Sequence, residues 1–194
     1  MKIYDFRSDT VTHPTPEMRQ AMANALVGDD VYGEDPTINT LEAKSARLMG
    51  KEAALFVTSG TMGNLLAVLV ACGRGDEVIM GRQGHTFLHE AGGVSALGGV
   101  VINTIPNQAD GTLALADLEK ALRSPEDIHQ PISKMIIIEN TQNDCGGVPL
   151  SVKDCDEVGK FAQEHSLVLH PDDALIFNAV LSIHVQRTYL TRAV

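Results

Sequence analysis

The fold of this chain is decided by the stretch FVTSGTMGN, residues 56–64. It joins an apolar run of the β type, residues 53–58, to a strongly helical run, residues 65–72. The pattern predicts a strand, a tight turn and the N-terminus of a helix. The first turn of a helix presents unpaired N–H groups and the positive end of the helix dipole, and Gly60 and Gly63 allow a bound group to approach the backbone closely. The turn is therefore a candidate phosphate site, although any tightly wound α/β unit needs small residues here.

The spacing of the glycines narrows the kind of phosphate that this turn would bind. The stretch contains no G-x-G-x-x-G pattern, and no lysine follows the glycines as a P-loop requires. Neither a dinucleotide nor a nucleoside triphosphate is therefore the expected ligand.

Apolar runs alternate with helical patterns along the rest of the chain. Two helices come first, one capped by Thr15 and ending before Gly28, the other capped by Thr37 and ending before Gly50. Strands are then predicted over residues 53–58, 77–80, 100–105, 135–139 and 167–170, with helical stretches over 65–72, 87–96, 115–123 and 152–165 between them. Such alternation implies crossover connections and an α/β fold, a mostly parallel sheet with flanking helices.

Polar residues follow several of the predicted strands. They are TSG at 58–60, GH at 84–85, ENT at 139–141 and HPD at 170–172. In open parallel sheets the ligand lies beyond the carboxyl ends of the strands. We therefore expect these residues to meet at one rim of the sheet.

Composition limits the classes of partner. The chain has 194 residues, of which 44% are apolar, enough for one domain with a substantial core. A formal net charge of −10 without any cluster of Lys and Arg argues against a nucleic acid or an anionic membrane surface as partner. No secretory signal or transit peptide is recognisable, so a cytosolic protein is expected. Three cysteines without a C-x-x-C pair are expected to be reduced thiols, and no metal site is predicted.

Four segments together resemble the low-specificity L-threonine aldolases. They are DFRSDTVT at residues 5–12, GDDVYGEDPT at 28–37, GKEAALF at 50–56 and ENT at 139–141. The resemblance covers about the first 180 residues, roughly the N-terminal half of a family member. It implies the fold-type I architecture of aspartate aminotransferase and the cofactor pyridoxal 5′-phosphate. It also implies cleavage of L-threonine or L-allo-threonine to glycine and acetaldehyde.

The resemblance implies which residues hold the phosphate and the substrate. Ser59, Gly60 and Thr61 resemble the phosphate-binding residues of the family, which strengthens the interpretation of the turn at residues 58–60. Ser8 resembles the family's contact to the substrate carboxylate, although a serine at this position also suits a turn or a helix cap.

Two further residues resemble the family's contacts to the cofactor ring. Asp172 matches the carboxylate that keeps the ring nitrogen protonated, so that the ring can absorb the carbanion left when the Cα–Cβ bond breaks. By its context alone, Asp172 also suits the N-cap of a following helix. His85 matches the histidine that stacks on the ring near the substrate hydroxyl, and a histidine can take up that proton at neutral pH.

The chain departs from the family at other positions. The family's Asn-Thr-His-Asn is NTQN at residues 140–143, and the amide of Gln142 cannot exchange a proton near neutral pH. The family's Asp-Gly-Ala-Arg is DDAL at residues 172–175, so Leu175 replaces the arginine that would hold the substrate carboxylate. Asp173 adds a second negative charge beside Asp172.

No lysine in the chain lies in the Ser-Lys-Gly context of the lysine that binds the family's cofactor covalently. We expect residues 1–180 to form an incomplete fold-type I large domain, residues 181–194 a divergent tail, and the small C-terminal domain to be absent. Two functions stay open. One is a threonine aldolase-like enzyme for small β-hydroxy amino acids, with a homo-oligomer expected from the family. The other is a catalytically inactive truncated isoform, pseudogene product or pseudoenzyme that pairs with a full-length relative.

Overall fold

The computed structural model describes residues 4–5 and 7–186 of the chain. A single 3₁₀ turn, Asp9–Val11, precedes the longer elements. In chain order these are α1 Pro16–Ala23, α2 Pro36–Met49, α3 Gly60–Ala71, β1 Glu77–Gly81, α4 His85–Leu88, α5 Gly93–Ala96, β2 Val101–Ile105, α6 Leu115–Ala121, β3 Ser133–Glu139, α7 Val152–Glu164, β4 Val168–Asp172 and α8 Ile176–Ile183.

The four strands of the described chain form one parallel sheet in the order β2-β1-β3-β4. Helices make each of the crossovers, because parallel neighbours require a connection that returns across the sheet. The prediction of an α/β fold with a mostly parallel sheet is confirmed. In the register of β3 and β4, Glu139 lies opposite Asp172, so both strands end at the same rim.

Successive residues of the strands point to opposite faces of the sheet, and each face carries its own core. One face packs against α3 and α5, through Val78, Met80, Met135 and Ile137 with Val68 and Val94. The other packs against α6, α7 and α8, through Ile79, Ile136, Ile138 and Leu169 with Leu118, Val158, Phe161 and Ile176. The central strands β1 and β3 are therefore buried on both faces, which explains their continuous apolar runs, Val78–Met80 and Met135–Ile138.

The predicted strand over residues 53–58 is wrong. This segment has no regular secondary structure, and Leu55 and Phe56 are 71% and 51% exposed. A strand needs a neighbouring strand edge to bind its backbone groups, whereas the Phe56 N–H donates to the carboxylate Oε1 of Glu42, at 2.7 Å. The helix after this segment forms as the sequence predicts, beginning at Gly60.

The ends of the first two helices also differ from the prediction. Helix α1 ends at Ala23, well before Gly28. Helix α2 is capped by Asp35 and not by Thr37, because the Asp35 carboxylate accepts hydrogen bonds from the N–H groups of Thr37 and Ile38, both at 2.9 Å. Pro36 occupies the first turn, where its missing N–H costs nothing.

The glycine-broken stretch over residues 87–96 is two separate short helices, α4 and α5. Between them Ala91 and Gly92 adopt positive φ angles of 54° and 68°, which interrupt the helical path. At the other end of the chain, Val180, Ile183 and Val185 pack against the larger core, so the predicted tail begins inside a packed helix. Its last part, residues 187–194, lies outside the described residues.

Across the part of the chain that the structure describes, no helix is both long enough and apolar enough to cross a bilayer. The thiols of Cys72, Cys145 and Cys155 are free.

Candidate functional site

A cavity of about 490 Å³ opens at the rim where β3 and β4 end. Its wall includes six of the residues singled out from the sequence: Ser8, Gly60, Thr61, His85, Asp172 and Leu175. The cavity also lies where the rule for open parallel sheets places a ligand. Ser59 and Gln142 are not part of its wall.

The N-terminus of α3 forms one end of the cavity. Ser59 is the N-cap, and its side-chain oxygen accepts a hydrogen bond from the Met62 N–H at 3.1 Å. The N–H groups of Gly60 and Thr61 belong to the first turn, where no intrahelical acceptor exists. A Cβ built on Gly60 would meet no described atom within 4 Å outside its own turn, so the side of Gly60 where a side chain would stand is open. This end suits an anion such as a phosphate.

Asp172 is the last residue of β4 and is only 9% exposed. Its carboxylate Oδ2 accepts a hydrogen bond from the side-chain amide of Asn64 at 2.9 Å. The alternative role of Asp172 as a helix N-cap is wrong, because α8 begins at Ile176 with Leu175 as its N-cap. A buried carboxylate at this place suits a protonated nitrogen of a ligand.

His85 follows β1 as the first residue of α4. Its backbone N–H donates to the Glu139 carboxylate Oε2 at 3.0 Å, and its ring Nδ1 lies 3.0 Å from Glu90 Oε1. The ring of His89 lies against it, with centroids 5.3 Å apart and planes tilted by 52°. These contacts hold the imidazole of His85 at the cavity wall.

Ser8 and Leu175 both line the cavity. Ser8 also caps a turn, and Leu175 is the N-cap residue of α8. Ser8 caps the 3₁₀ turn, and its hydroxyl oxygen accepts a hydrogen bond from the Thr10 N–H at 3.2 Å. Leu175 presents an alkyl group where the resemblance implies an arginine. Arg7, which the sequence reasoning missed, also lines the cavity, and its guanidinium is paired with the Asp5 carboxylate.

Gln142 is 1% exposed and makes its contacts inside the protein. Its amide nitrogen donates to the backbone oxygen of Gln83 at 2.7 Å and to Glu139 Oε2 at 3.1 Å. Its amide oxygen accepts from the Cys145 N–H at 2.6 Å. The structure therefore places Gln142 in the scaffold beneath the cavity.

Burial changes the pKa values of three acid–base groups at this rim. Desolvation raises the pKa of Glu139, although hydrogen bonds from the His85 and Asn143 backbones oppose the shift. Desolvation lowers the pKa of His170, with the Asp172 charge opposing it. Desolvation together with the Asp172 charge raises the pKa of Asp173 to about 7, and Lys51 opposes that shift.

Three residues surround Asp172 and His85: His170, which the sequence placed among the polar residues of the rim, and Asn64 and Glu90, for which it predicted no role. Asn64 donates to both carboxylates, at 2.8 Å to Glu90 and 2.9 Å to Asp172, and lies 2.9 Å from the His170 ring. Of the two without a predicted role, Asn64 gave a signal, as a polar residue in a largely apolar helix. Its partners are far away in sequence, so the chain pattern did not predict the cluster.

Comparisons with known proteins show the family of the chain. A family model described as beta-eliminating lyase matches residues 5–194. A probable low-specificity L-threonine aldolase 2 of Arabidopsis thaliana is 53% identical over 187 residues, which make up 95% of this chain and 53% of the plant protein. The low specificity L-threonine aldolase of Escherichia coli K12 is 45% identical over 188 residues, 97% of this chain and 55% of the bacterial protein.

Solved structures give the same result for the fold. A threonine aldolase of Leishmania major superposes with a TM-score of 0.69 at 31% identity, covering 78% of this chain and 45% of the other. A structure described as a putative L-allo-threonine aldolase of Listeria monocytogenes superposes with a TM-score of 0.72 at 22% identity, over 93% of this chain and 50% of the other, and supports the fold alone. The chain spans about half the length of the curated relatives named above.

Proposed function

The chain belongs to the beta-eliminating lyase family, and from that premise we propose that it is a threonine aldolase-like protein whose cavity binds pyridoxal 5′-phosphate. One observation carries the proposal. A single cavity is lined by the open N-terminus of α3 at Gly60 and Thr61, by the buried carboxylate of Asp172 and by the imidazole of His85. These are the groups that a phosphate, a protonated ring nitrogen and an aromatic ring each require.

The residues present fit the cofactor at both ends. The phosphate would be held by the N–H groups of Gly60 and Thr61, with Ser59 fixing the turn as the N-cap. Asp172, held in place by Asn64, would keep the ring nitrogen protonated. When bound, the cofactor supplies an electron sink for breaking a Cα–Cβ bond.

The substrate side depends on the residues of this chain. His85 has Nδ1 engaged by Glu90, so Nε2 is the atom that would take the proton of a substrate hydroxyl. Ser8 would contact the substrate carboxylate. The proposed reaction is the retro-aldol cleavage of L-threonine or L-allo-threonine to glycine and acetaldehyde, in a cytosolic homo-oligomer.

A second function, binding without turnover, is favoured by other residues of the cavity. Leu175 replaces the arginine that the family resemblance implies, and no lysine is among the described residues of the cavity wall. Gln142, in the place of the family's histidine, is buried in the scaffold. On this alternative the chain is an inactive isoform or pseudoenzyme that pairs with a full-length relative.

Titration of the full chain with pyridoxal phosphate, followed by cofactor absorbance and fluorescence, tests the binding. We expect Asp172→Asn to weaken binding roughly tenfold or more, because it removes a charged hydrogen-bond acceptor. Asp30→Asn, in an exposed loop, is the control and should bind as the unmodified chain does. Equal affinity of the Asp172 variant and the unmodified chain would contradict the proposed site.

Acetaldehyde release from L-threonine and L-allo-threonine separates the two functions. Turnover that exceeds free pyridoxal phosphate and is lost in His85→Asn supports the enzyme. Binding without turnover, with no cofactor adduct on any lysine after borohydride reduction and peptide mapping, supports the second function. Repeating the assay after coexpression with a full-length relative tests the pairing.

A further inference from the structure

We propose that Asn64 is a positioning residue of this site, and that His170 fixes the orientation of its side-chain amide. Asn64 would act on the ligand through two neighbours, Asp172 and the pair formed by Glu90 and His85. The ligand in this inference rests on the proposed function. The hydrogen-bond network itself belongs to the chain and is open to measurement without any cofactor.

The amide nitrogen of Asn64 joins two carboxylates. Nδ2 donates to Glu90 Oε1 at 2.8 Å and to Asp172 Oδ2 at 2.9 Å. Glu90 lies 26 positions and Asp172 108 positions after Asn64 in the chain. Asn64 is 6% exposed, and Glu90 and Asp172 are buried with it. Two buried carboxylates repel each other, and an N–H donor to each offsets the repulsion. Asn64 therefore fixes where both carboxylates lie.

The two carboxylates and His170 together permit only one orientation of this amide. The Nε2 of His170 lies 2.9 Å from Asn64 Oδ1, and burial lowers the pKa of the imidazole, which favours the neutral ring. A neutral imidazole with its proton on Nε2 donates to Oδ1. If the amide were flipped, Oδ1 would face both carboxylates and the NH₂ group would face the His170 N–H. The unflipped orientation satisfies every group.

The network reaches the proposed proton acceptor through Glu90. Its Oε1 accepts from Asn64 and lies 3.0 Å from His85 Nδ1. This contact places the imidazole proton of His85 on Nδ1 and leaves Nε2 as an acceptor. Asn64 thus determines two properties of the site: the placement of the Asp172 carboxylate and the tautomer of His85.

A bound cation is the competing interpretation of the same cluster. His85, Glu90 and Asp172 each offer one ligand atom, and these atoms lie within 4.8 Å of one another. However, the Asn64 amide directs its hydrogens at one oxygen of each carboxylate, where a cation would need lone pairs. The amide donor therefore favours the hydrogen-bond network.

The test measures histidine tautomers by two-bond ¹H–¹⁵N NMR on the full chain without cofactor. In the unmodified chain we expect His85 with its proton on Nδ1 and His170 with its proton on Nε2. Asn64→Leu keeps the side-chain shape but removes both donors, so His85 should become a mixture of tautomers. His170→Leu should have the same effect on His85. His170→Gln places an amide nitrogen that can replace Nε2 as the donor, so this variant should preserve the tautomer of His85.

The control variant is Asn103→Leu. Asn103 is partly buried and, like Asn64, has an amide that donates to a buried carboxylate, here Glu77 at the opposite end of the sheet. It should lower the melting temperature while leaving the His85 tautomer and the affinity for pyridoxal phosphate unchanged. Asn64→Leu should weaken that affinity roughly tenfold or more, because the Asp172 carboxylate loses its charge-assisted hydrogen bond.

The outcomes separate this inference from the proposed function. An unmodified chain with His170 protonated on Nδ1, or with His85 protonated on Nε2, would overturn the inference without any variant being needed. Unchanged tautomers and affinity in a folded Asn64→Leu chain would do the same. If the tautomers are as expected but pyridoxal phosphate does not bind, the network stands and the proposed function fails.

Discussion

Gln142 uses both ends of its amide within the protein. It donates to the Gln83 backbone and to Glu139, accepts from the Cys145 N–H, and packs against Gly111. A polar side chain that is buried and fully hydrogen-bonded stabilises the fold, whereas its removal leaves its partners unsatisfied. In this chain Gln142 therefore stabilises the loop beneath His85.

We expect Gln142→Leu to lower the free energy of unfolding by about 3 kcal/mol, since a buried N–H and two acceptors lose their partner. Chemical denaturation monitored by circular dichroism measures the loss. Gln130→Leu, in an exposed loop, is the control and should change stability by less than about 0.5 kcal/mol. A Gln142 variant as stable as the unmodified chain would show that the side chain does not support the scaffold.

Asp173 is the second residue with a measurable consequence. Its carboxylate Oδ1 is buried without a hydrogen-bond partner among the described residues. Burial and the neighbouring Asp172 raise the pKa of Asp173 from 3.8 to about 7. The folded chain therefore holds a proton here at pH values where the unfolded chain has lost it.

This shift gives Asp173 a stability contribution that is complete below pH 4 and is lost as the pH rises towards 7. Asp173→Asn removes the titration, so the variant should gain stability relative to the unmodified chain as the pH rises. We expect a gain on the order of 2 kcal/mol at pH 8, about 6 °C in Tm. Melting curves from pH 4 to 8 measure it, with Asp30→Asn as the control. A constant difference across that range would contradict the prediction.

At the scale of elements, the helices differ in how much their caps matter. Ser151 begins α7 with a capping box: its hydroxyl accepts from the Asp154 N–H at 3.2 Å, and the Asp154 carboxylate accepts from the Ser151 N–H at 2.9 Å. Helix α7 buries Phe161 and other apolar residues against the sheet. Helix α1 is capped by Thr15, and this fully described helix has no buried residue.

Ser151→Ala should therefore lower the global stability by about 1 kcal/mol, or about 3 °C in Tm, because losing the cap of a packed helix is felt by the whole fold. Thr15→Ala should leave Tm almost unchanged, since fraying of α1 exposes no core. Differential scanning calorimetry of the two variants measures both effects. Equal losses would mean that α1 is part of the cooperative unit.

At the scale of the whole molecule, the end of the sheet opposite the cavity is held by one buried carboxylate. Glu77, 0% exposed at the start of β1, accepts hydrogen bonds from Asn103 of β2, from Ser133 of β3 and from Arg123 after α6. A buried charge is tolerated only when it is paired and fully hydrogen-bonded. Glu77 thus connects three strands at the end where no ligand is expected.

Arg123→Met should lower the free energy of unfolding by roughly 3 kcal/mol, because Glu77 is left as an unpaired buried charge. The double variant Glu77→Met and Arg123→Met should recover a large part of this loss, since the charge is removed with its partner. Lys120→Met, which breaks an exposed pair with Asp117, should cost less than about 0.5 kcal/mol. Urea denaturation compares the three. A double variant less stable than Arg123→Met would contradict the argument.

The sequence by itself determined the class of fold, the start of α3 and the rim that forms the cavity. These depend on local patterns: alternating strand and helix signals, small residues at the turn near Gly60, and polar residues at the ends of β3 and β4. The meeting of His85 and Asp172 follows from them, because parallel strands end at the same edge, whereas Gly60 reaches the rim with no strand before it.

Only the tertiary structure decided that residues 53–58 form no strand, that Gln142 points into the scaffold, and that Asn64 joins Asp172 to Glu90. Each of these depends on which distant group lies opposite: a strand requires a partner edge, and an amide takes the orientation that satisfies its neighbours. The partners of Asn64 are far apart along the chain and are brought together by the packing of α3 on the sheet, and the Gln83 partner of Gln142 is 59 positions away. Local sequence patterns carry no information about them.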